Sequence, residues 1–257
     1  MTGASDRPVL HFSVMRIQVD LHVHTVASGH AFSTVAEIAH EATLRRLRAV
    51  GIADHGPAIP GGPHLYYFSC MRFLPRTMEG VRILRGAEAN LLDGKGKIDL
   101  PRELAEQLDY VMVGYHNGCG MKPANARRNT QALIAAMDNP RVKVLVHPGN
   151  PSFPVDVPEL VAATRERNVA LEINNASFSQ ARRGSHDPCS RIAAEVARTG
   201  GLICLSSDAH VAPQVGEVKD AWEVAAAAGV SEEQVVNRTY TSCLRFLGIS
   251  EDELAGK

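Results

Sequence analysis

The sequence predicts an α/β fold in which βα units repeat around a parallel sheet, and three observations carry that prediction. Short apolar, β-branched runs alternate with longer stretches of helical periodicity, the pattern of strand–helix–strand crossovers. The chain has 257 residues, 45% of them hydrophobic and 21% charged, enough to bury a substantial core without disulfides or structural metal. No linker, low-complexity run or repeat divides it, so residues 15–257 read as a single domain behind a loose extension over residues 1–14.

Seven runs read as strands: Ile17–Leu21, Val50–Ala53, Arg82–Ala87, Tyr110–Gly114, Val142–Val146, Ala170–Ile173 and Leu202–Leu205. Helical patterns fall between them at Thr34–Ala49, Arg127–Met137, Val157–Arg167 and Ser190–Thr199. Two more follow the last strand, Lys219–Ala228 and Ser231–Leu247. Ser231 followed by Gln234 has the spacing of a capping box and predicts that the final helix starts there.

Each strand runs into a residue able to ligate a metal or hold a substrate. The first leads into Asp20, His22 and His24, the second into Asp54 and His55, and the third into Glu88. His116, His147, Asn174–Asn175, and Asp208 with His210 follow the remaining four. In a parallel βα barrel these C-terminal strand ends converge on one face, where active sites lie. Two residues apart on a strand, His22 and His24 should share a face with Asp20, leaving Leu21 and Val23 toward the helices. Two inward imidazoles need polar partners. A metal ion supplies one, against the competing reading of two hydrogen-bonded structural histidines. Asp20 is expected to orient an imidazole rather than to ligate.

Asp208-Ala209-His210 repeats the two-apart spacing, and Pro148-Gly149 stiffens the chain after His147. Glu88 sits among small residues in Gly86-Ala87-Glu88-Ala89-Asn90, where a buried carboxylate would be costly without a cation. That makes it the natural bridging ligand. His30 alone would read as a loop histidine, as would His64, which borders the expected mouth and is the candidate proton donor. His11, His40 and His186 read as solvated or surface residues. Among Arg72, Arg76, Lys122 and the pair Arg182–Arg183, Arg72 and Arg183 are the preferred substrate-binding candidates. Both lie in loops expected to follow strands, and arginine suits bidentate phosphate recognition.

The formal net charge of −1 and pI of about 6.8 give no electrostatic footprint for nucleic acid or an anionic membrane. Five scattered cysteines without CxxC spacing point to a reduced, cytoplasmic interior. No apolar run reaches the length of a membrane span.

At the level of motifs the sequence resembles the PHP (polymerase and histidinol phosphatase) superfamily, in its stand-alone phosphatase branch. The matching segments are Val19–Thr25, Ala27–His30, Asp54–Pro57, Arg85–Asn90, Gly114–His116, His147–Pro151, Leu171–Asn175 and Ser207–His210. The resemblance implies a distorted seven-stranded (βα)7 barrel holding three divalent metal ions, zinc first, with manganese or iron as alternatives. Carried over by motif, His22, His24, Glu88 and Asp208 bind one ion. His30, His55 and His210 bind the second, and Glu88 joins His116 and His147 on the third. Asp54 belongs with Asp20 behind the ligands. The implied reaction is hydrolysis of a small phosphomonoester by hydroxide generated at the metals, with Glu88 and Asp208 central to it. Relatives also imply a homo-oligomer, a trimer.

Three rival readings stand beside this one. An amidohydrolase-type enzyme also opens with two histidines two apart, but it needs a metal-bridging lysine where this chain has Glu88. Phosphodiesterase or exonuclease chemistry on nucleic acid occurs among PHP relatives, and the near-neutral charge argues against it. The third is a metal-binding module without turnover.

Overall fold

The computed structural model describes residues 15–179 and 182–251; the extension expected over residues 1–14 lies outside them. Nine strands are present among the described residues: β1 (Val19–Val23), β2 (Ala49–Ile52), β3 (Thr77–Met78), β4 (Val81–Arg85), β5 (Glu88–Asn90), β6 (Val111–Gly114), β7 (Val142–Leu145), β8 (Ala170–Asn174) and β9 (Ile203–Ser206). They form one sheet in the order β1-β2-β4-β3 and a second in the order β5-β6-β7-β8-β9. Every pairing is parallel except that between β3 and β4. Single bridges link the sheets, His55 to Glu88 on one side and Val23 to Ala209 on the other.

All seven expected strands occur, with boundaries moved by one or two residues. The third ends at Arg85 as β4, and β5, which starts at Glu88, lies beyond its expected end at Ala87 and was not expected. The two-residue β3 was not expected; it is too short to leave a periodic signal.

Among the described residues eight α-helices accompany the strands: α1 (Val35–Leu44), α2 (Leu65–Cys70), α3 (Arg102–Ala105), α4 (Ala126–Ala136), α5 (Val157–Arg167), α6 (His186–Thr199), α7 (Lys219–Ala227) and α8 (Tyr240–Leu247). Their starts follow from side chains that satisfy the first free N–H groups. Thr34 and Glu37 form a reciprocal box at α1, while Asn125 and Asp156 cap α4 and α5.

The expected helix Ser231–Leu247 is corrected. The capping box at Ser231 and Gln234 exists, but it opens only the 3-10 turn Glu232–Gln234. Val235 then bridges Ile203, and α8 starts anew at Thr239. The cause is Asn237, which is fully buried. Its Nδ2 donates to the carbonyls of Val19 (2.7 Å) and Leu205 (2.6 Å), and its Oδ1 accepts from Leu205 N (3.1 Å). The side chain thereby ties β1 to β9, and a continuous helix could not deliver it there.

A second correction concerns β1. The register with β2 slips between Asp20 and Val23, and a bulge of this kind re-aims the side chains around it. Val19 and Leu21 pack with the opposite strands and α8, while Val23 packs with the helices that flank the sheets. Strict alternation along Asp20–His24 therefore fails.

Most apolar side chains lie between the sheets and α1–α7. A smaller cluster on the other strand face is organised around Tyr110, wholly buried, whose hydroxyl donates to the Leu21 carbonyl. Gly51 and Gly86 supply the space, because a Cβ at either would overlap the Tyr110 ring or hydroxyl. Gly86→Ala should cost about 1–3 kcal/mol of stability through overpacking. Urea unfolding measures this, and a wild-type midpoint would show that the ring can yield.

Candidate metal centre

The ligand-type residues converge where the strands end. On β5, β6 and β8 ordinary alternation aims Glu88, His116 and Asn174 away from the flanking helices, since Ala87, Ala89, Val113 and Ile173 pack against those helices. Two positions need more than alternation. His147 (φ 33°) and Asp208 (φ 54°) adopt left-handed backbone conformations. A non-glycine residue is held there only when its surroundings over-determine it, typically at a functional site.

Glu88 is the hub, and it is 1% exposed. Its Oε2 lies 2.7 Å from His55 Nδ1, 3.3 Å from His22 Nε2 and 3.5 Å from His24 Nε2. Its Oε1 lies 2.9 Å from His116 Nε2 and 3.0 Å from His147 Nε2. Asp208 Oδ1 is 3.1 Å from His24 Nε2 and 3.6 Å from His22 Nε2. Three sets have ligand atoms within 4.8 Å of one another: His22–His24–Asp208, His24–His55–His210 and His55–Glu88–His116. The His30 ring stands 5.0 Å from those of both His55 and His210, so it joins the cluster from the loop after β1. All nine ligands expected by resemblance are thus brought together.

The donor set fits a cation better than it fits itself. His116 Nε2 and His147 Nε2 approach to 3.2 Å, although one imidazole nitrogen bonds another only if one of them carries the proton. His22 Nε2, His55 Nδ1 and Glu88 Oε2 are buried and make no hydrogen bond, a situation proteins rarely tolerate without a ligand.

Charge points the same way. Burial pulls His24 and His147 down to about 4, which keeps both rings neutral and able to ligate. Burial acts against the charged forms of Glu88 and Asp208, but the surrounding imidazoles, joined at Asp208 by Arg182, hold both carboxyls well below their ordinary values. Burial likewise opposes a charged His22, yet Glu172, Glu88 and Asp208 keep it well above the usual imidazole range.

Behind the ligands, Asp54 Oδ1 accepts from Thr25 N (2.7 Å) and Ser28 Oγ (2.6 Å), and its Oδ2 accepts from Tyr67 (2.5 Å). Ser28 in turn contacts His24 Nδ1 at 3.0 Å, so Asp54 supports His24 through one hydroxyl. Asp20 does not orient an imidazole as expected. It accepts from Ser207 Oγ and Gly216 N, because the bulge in β1 turns it off the histidine face. Glu172 takes that place, 2.6 Å from His22 Nδ1.

Glu172 went unrecognised in the sequence, although a signal existed. A carboxylate inside a strand otherwise buried on both faces is out of pattern.

A cavity of about 450 Å³ opens over the centre. It is lined by six of the metal-type residues, His30, His55, His116, His147, Asp208 and His210, together with Tyr115, Asn117, Asn150, Ser152, Arg182 and Arg183. Arg183 is where the sequence placed it, exposed at this rim. Arg182 goes deeper, with a nitrogen 2.9 Å from Asp208 Oδ2. Arg72 and His64 do not line the cavity. The Arg72 guanidinium stacks 4.8 Å from the Phe73 ring centroid. The exposed His64 ring caps α2, its Nδ1 accepting from Tyr66 N at 3.1 Å. His64 is the N-cap of α2 and Arg72 lies inside the 3-10 turn Met71–Phe73 that continues it, two elements too short to be visible as a periodic pattern.

A family model for the PHP domain matches residues 20–232. The chain belongs to the PHP domain family. It is 44% identical over 238 residues to a protein described as "Probable phosphatase" from Syntrophotalea carbinolica, covering 93% of this chain and 99% of that one. Another so described, from Caldanaerobacter subterraneus subsp. tengcongensis, is 40% identical over 242 residues, 94% and 95% of the two chains. These relatives place the chain among the phosphatases of the PHP family. The fold is shared with a histidinol phosphate phosphatase from Lactococcus lactis solved with zinc, L-histidinol and phosphate. That likeness has a TM-score of 0.60 at 17% identity, over 83% of this chain and 94% of the other. Among the described residues no helix is long and apolar enough to cross a membrane.

Proposed function

We propose that this PHP phosphatase hydrolyses small phosphomonoesters at a centre of three divalent ions, zinc first and manganese or iron as alternatives. The observation that carries the reading is the division of Glu88, one oxygen toward His22, His24 and His55 and the other toward His116 and His147. A carboxylate so placed is suited to join two ions. His22, His24, Glu88 and Asp208 would hold one ion, His30, His55 and His210 a second, and Glu88, His116 and His147 the third. We also propose that the two sheets make one distorted seven-stranded barrel from Met15 onward. The bridges His55–Glu88 and Val23–Ala209 and the Asn237 tie support this. The five free cysteines fit a reducing cytoplasm.

When bound, such ions lower the pKa of water and neutralise charge on phosphoryl oxygens. The chain supplies the rest. Only two of the nine proposed ligands, Glu88 and Asp208, are carboxylates, so three dications would keep excess positive charge, which favours an anionic phosphate over a neutral amide. No lysine is among the residues lining the cavity, which counts against the amidohydrolase reading. Arg182, anchored on Asp208 and facing the cavity, would bind a phosphoryl oxygen, with Arg183 at the rim steering the anion. Arg182→Ala should lower kcat/KM by about 10- to 100-fold, the worth of a charged hydrogen bond. Steady-state kinetics check this, and an unchanged kcat/KM would remove Arg182 from substrate binding.

The function itself is tested by metal analysis together with a panel of phosphomonoesters, phosphodiesters and single-stranded DNA. Turnover of monoesters at about three ions per chain is expected. Fewer than two ions under metal-replete conditions, or turnover of diesters alone, would overturn the reading.

A further inference from the structure

Glu172 lies on β8 and is wholly buried, yet it neither lines the cavity nor belongs to any ligand set. A carboxylate that burial strips of water survives only if its lone pairs are taken up, and here both oxygens are doubly occupied. Oε1 contacts His22 Nδ1 at 2.6 Å and accepts from Ser206 Oγ. Oε2 accepts from the backbone N–H of His147 at 2.6 Å and from Asn174 Nδ2 at 3.0 Å. One side chain on β8 therefore grips the ends of β1, β7 and β9.

We infer that Glu172 is a positioning residue that presets two histidines for metal binding; the inference rests on the metal-centre reading above. By accepting the Nδ1 proton of His22 it leaves Nε2, 3.3 Å from Glu88 Oε2 and 3.6 Å from Asp208 Oδ1, as the ring nitrogen that would give up its proton to a bound ion. By accepting from His147 N it holds the left-handed turn (φ 33°) that swings that ring onto Glu88 Oε1. A carboxylate serves both ends because it has no donor. Glutamine has the same shape but must present its NH2 to one end. Facing His22, the NH2 selects the opposite tautomer and puts a proton on Nε2; facing His147, it sets donor against donor.

Glu172→Gln is therefore expected to weaken binding of at least one zinc ion by about 10- to 100-fold, the usual cost of losing a partner behind a metal ligand. Competition of the purified, folded variant with a chromogenic chelator measures this without reference to turnover. A variant that melts at lower temperature but binds zinc as tightly as wild type overturns the inference and leaves Glu172 merely structural. If the variant does not fold, the zinc-loaded wild type still decides. Histidine 15N spectra should show His22 protonated at Nδ1, and a proton on Nε2 overturns the inference. A wild type that binds no zinc would overturn the metal-centre reading and this inference with it.

Discussion

Glu88→Gln is expected to abolish turnover, by about 10³-fold or more in kcat, while leaving the fold in place. Removing a single charge-stabilising donor from an active site costs about 10²- to 10³-fold, and Glu88 serves more than one partner. Five imidazole nitrogens lie 2.7–3.5 Å from its two oxygens. An amide keeps one oxygen for that task and turns an NH2 toward the other group, so it cannot join two cations. Because the side chains are isosteric, circular dichroism should be unchanged. Kinetics and metal content should fall together. Full activity in this variant would remove the bridging role and with it the basis of the proposed centre.

Asn237→Leu should have the largest effect on stability. The substitution keeps the branched shape but removes bonds to Val19 O, Leu205 O and Leu205 N, all at a buried site. Each backbone group left without a partner costs about 1–3 kcal/mol. A loss of about 3–6 kcal/mol is expected, a large share of the 5–15 kcal/mol typical of a whole domain. Urea unfolding measures it, and an unchanged midpoint would mean that β1 and β9 hold together without this side chain.

What the sequence disclosed follows from what leaves a local trace. Strands buried on both faces, such as Ala49–Ile52 and Val111–Gly114, are apolar along their length, so they stand out as runs. Ligands at their ends stand out because histidine pairs two apart have few other uses. The bulge in β1 left no trace, since a register slip depends on the neighbouring strand. Asp20 was accordingly given the role that belongs to Glu172. Arg182 was ranked below Arg183 and Arg72 because loop conformations have no period from which to tell which of two adjacent arginines turns inward. The broken helix at Asn237 was hidden for a related reason. One buried asparagine outweighs a favourable helical pattern only through partners more than thirty positions away.

The tie made by Asn237 also sets when the protein can become itself during synthesis. β1 leaves the ribosome first, but its bond to Asn237 must wait until almost the whole described chain has emerged. His22 and His24 stand on one side of that junction, Asp208 and His210 on the other. The metal site is therefore a property of the finished polypeptide, and a nascent chain cannot assemble it piecemeal.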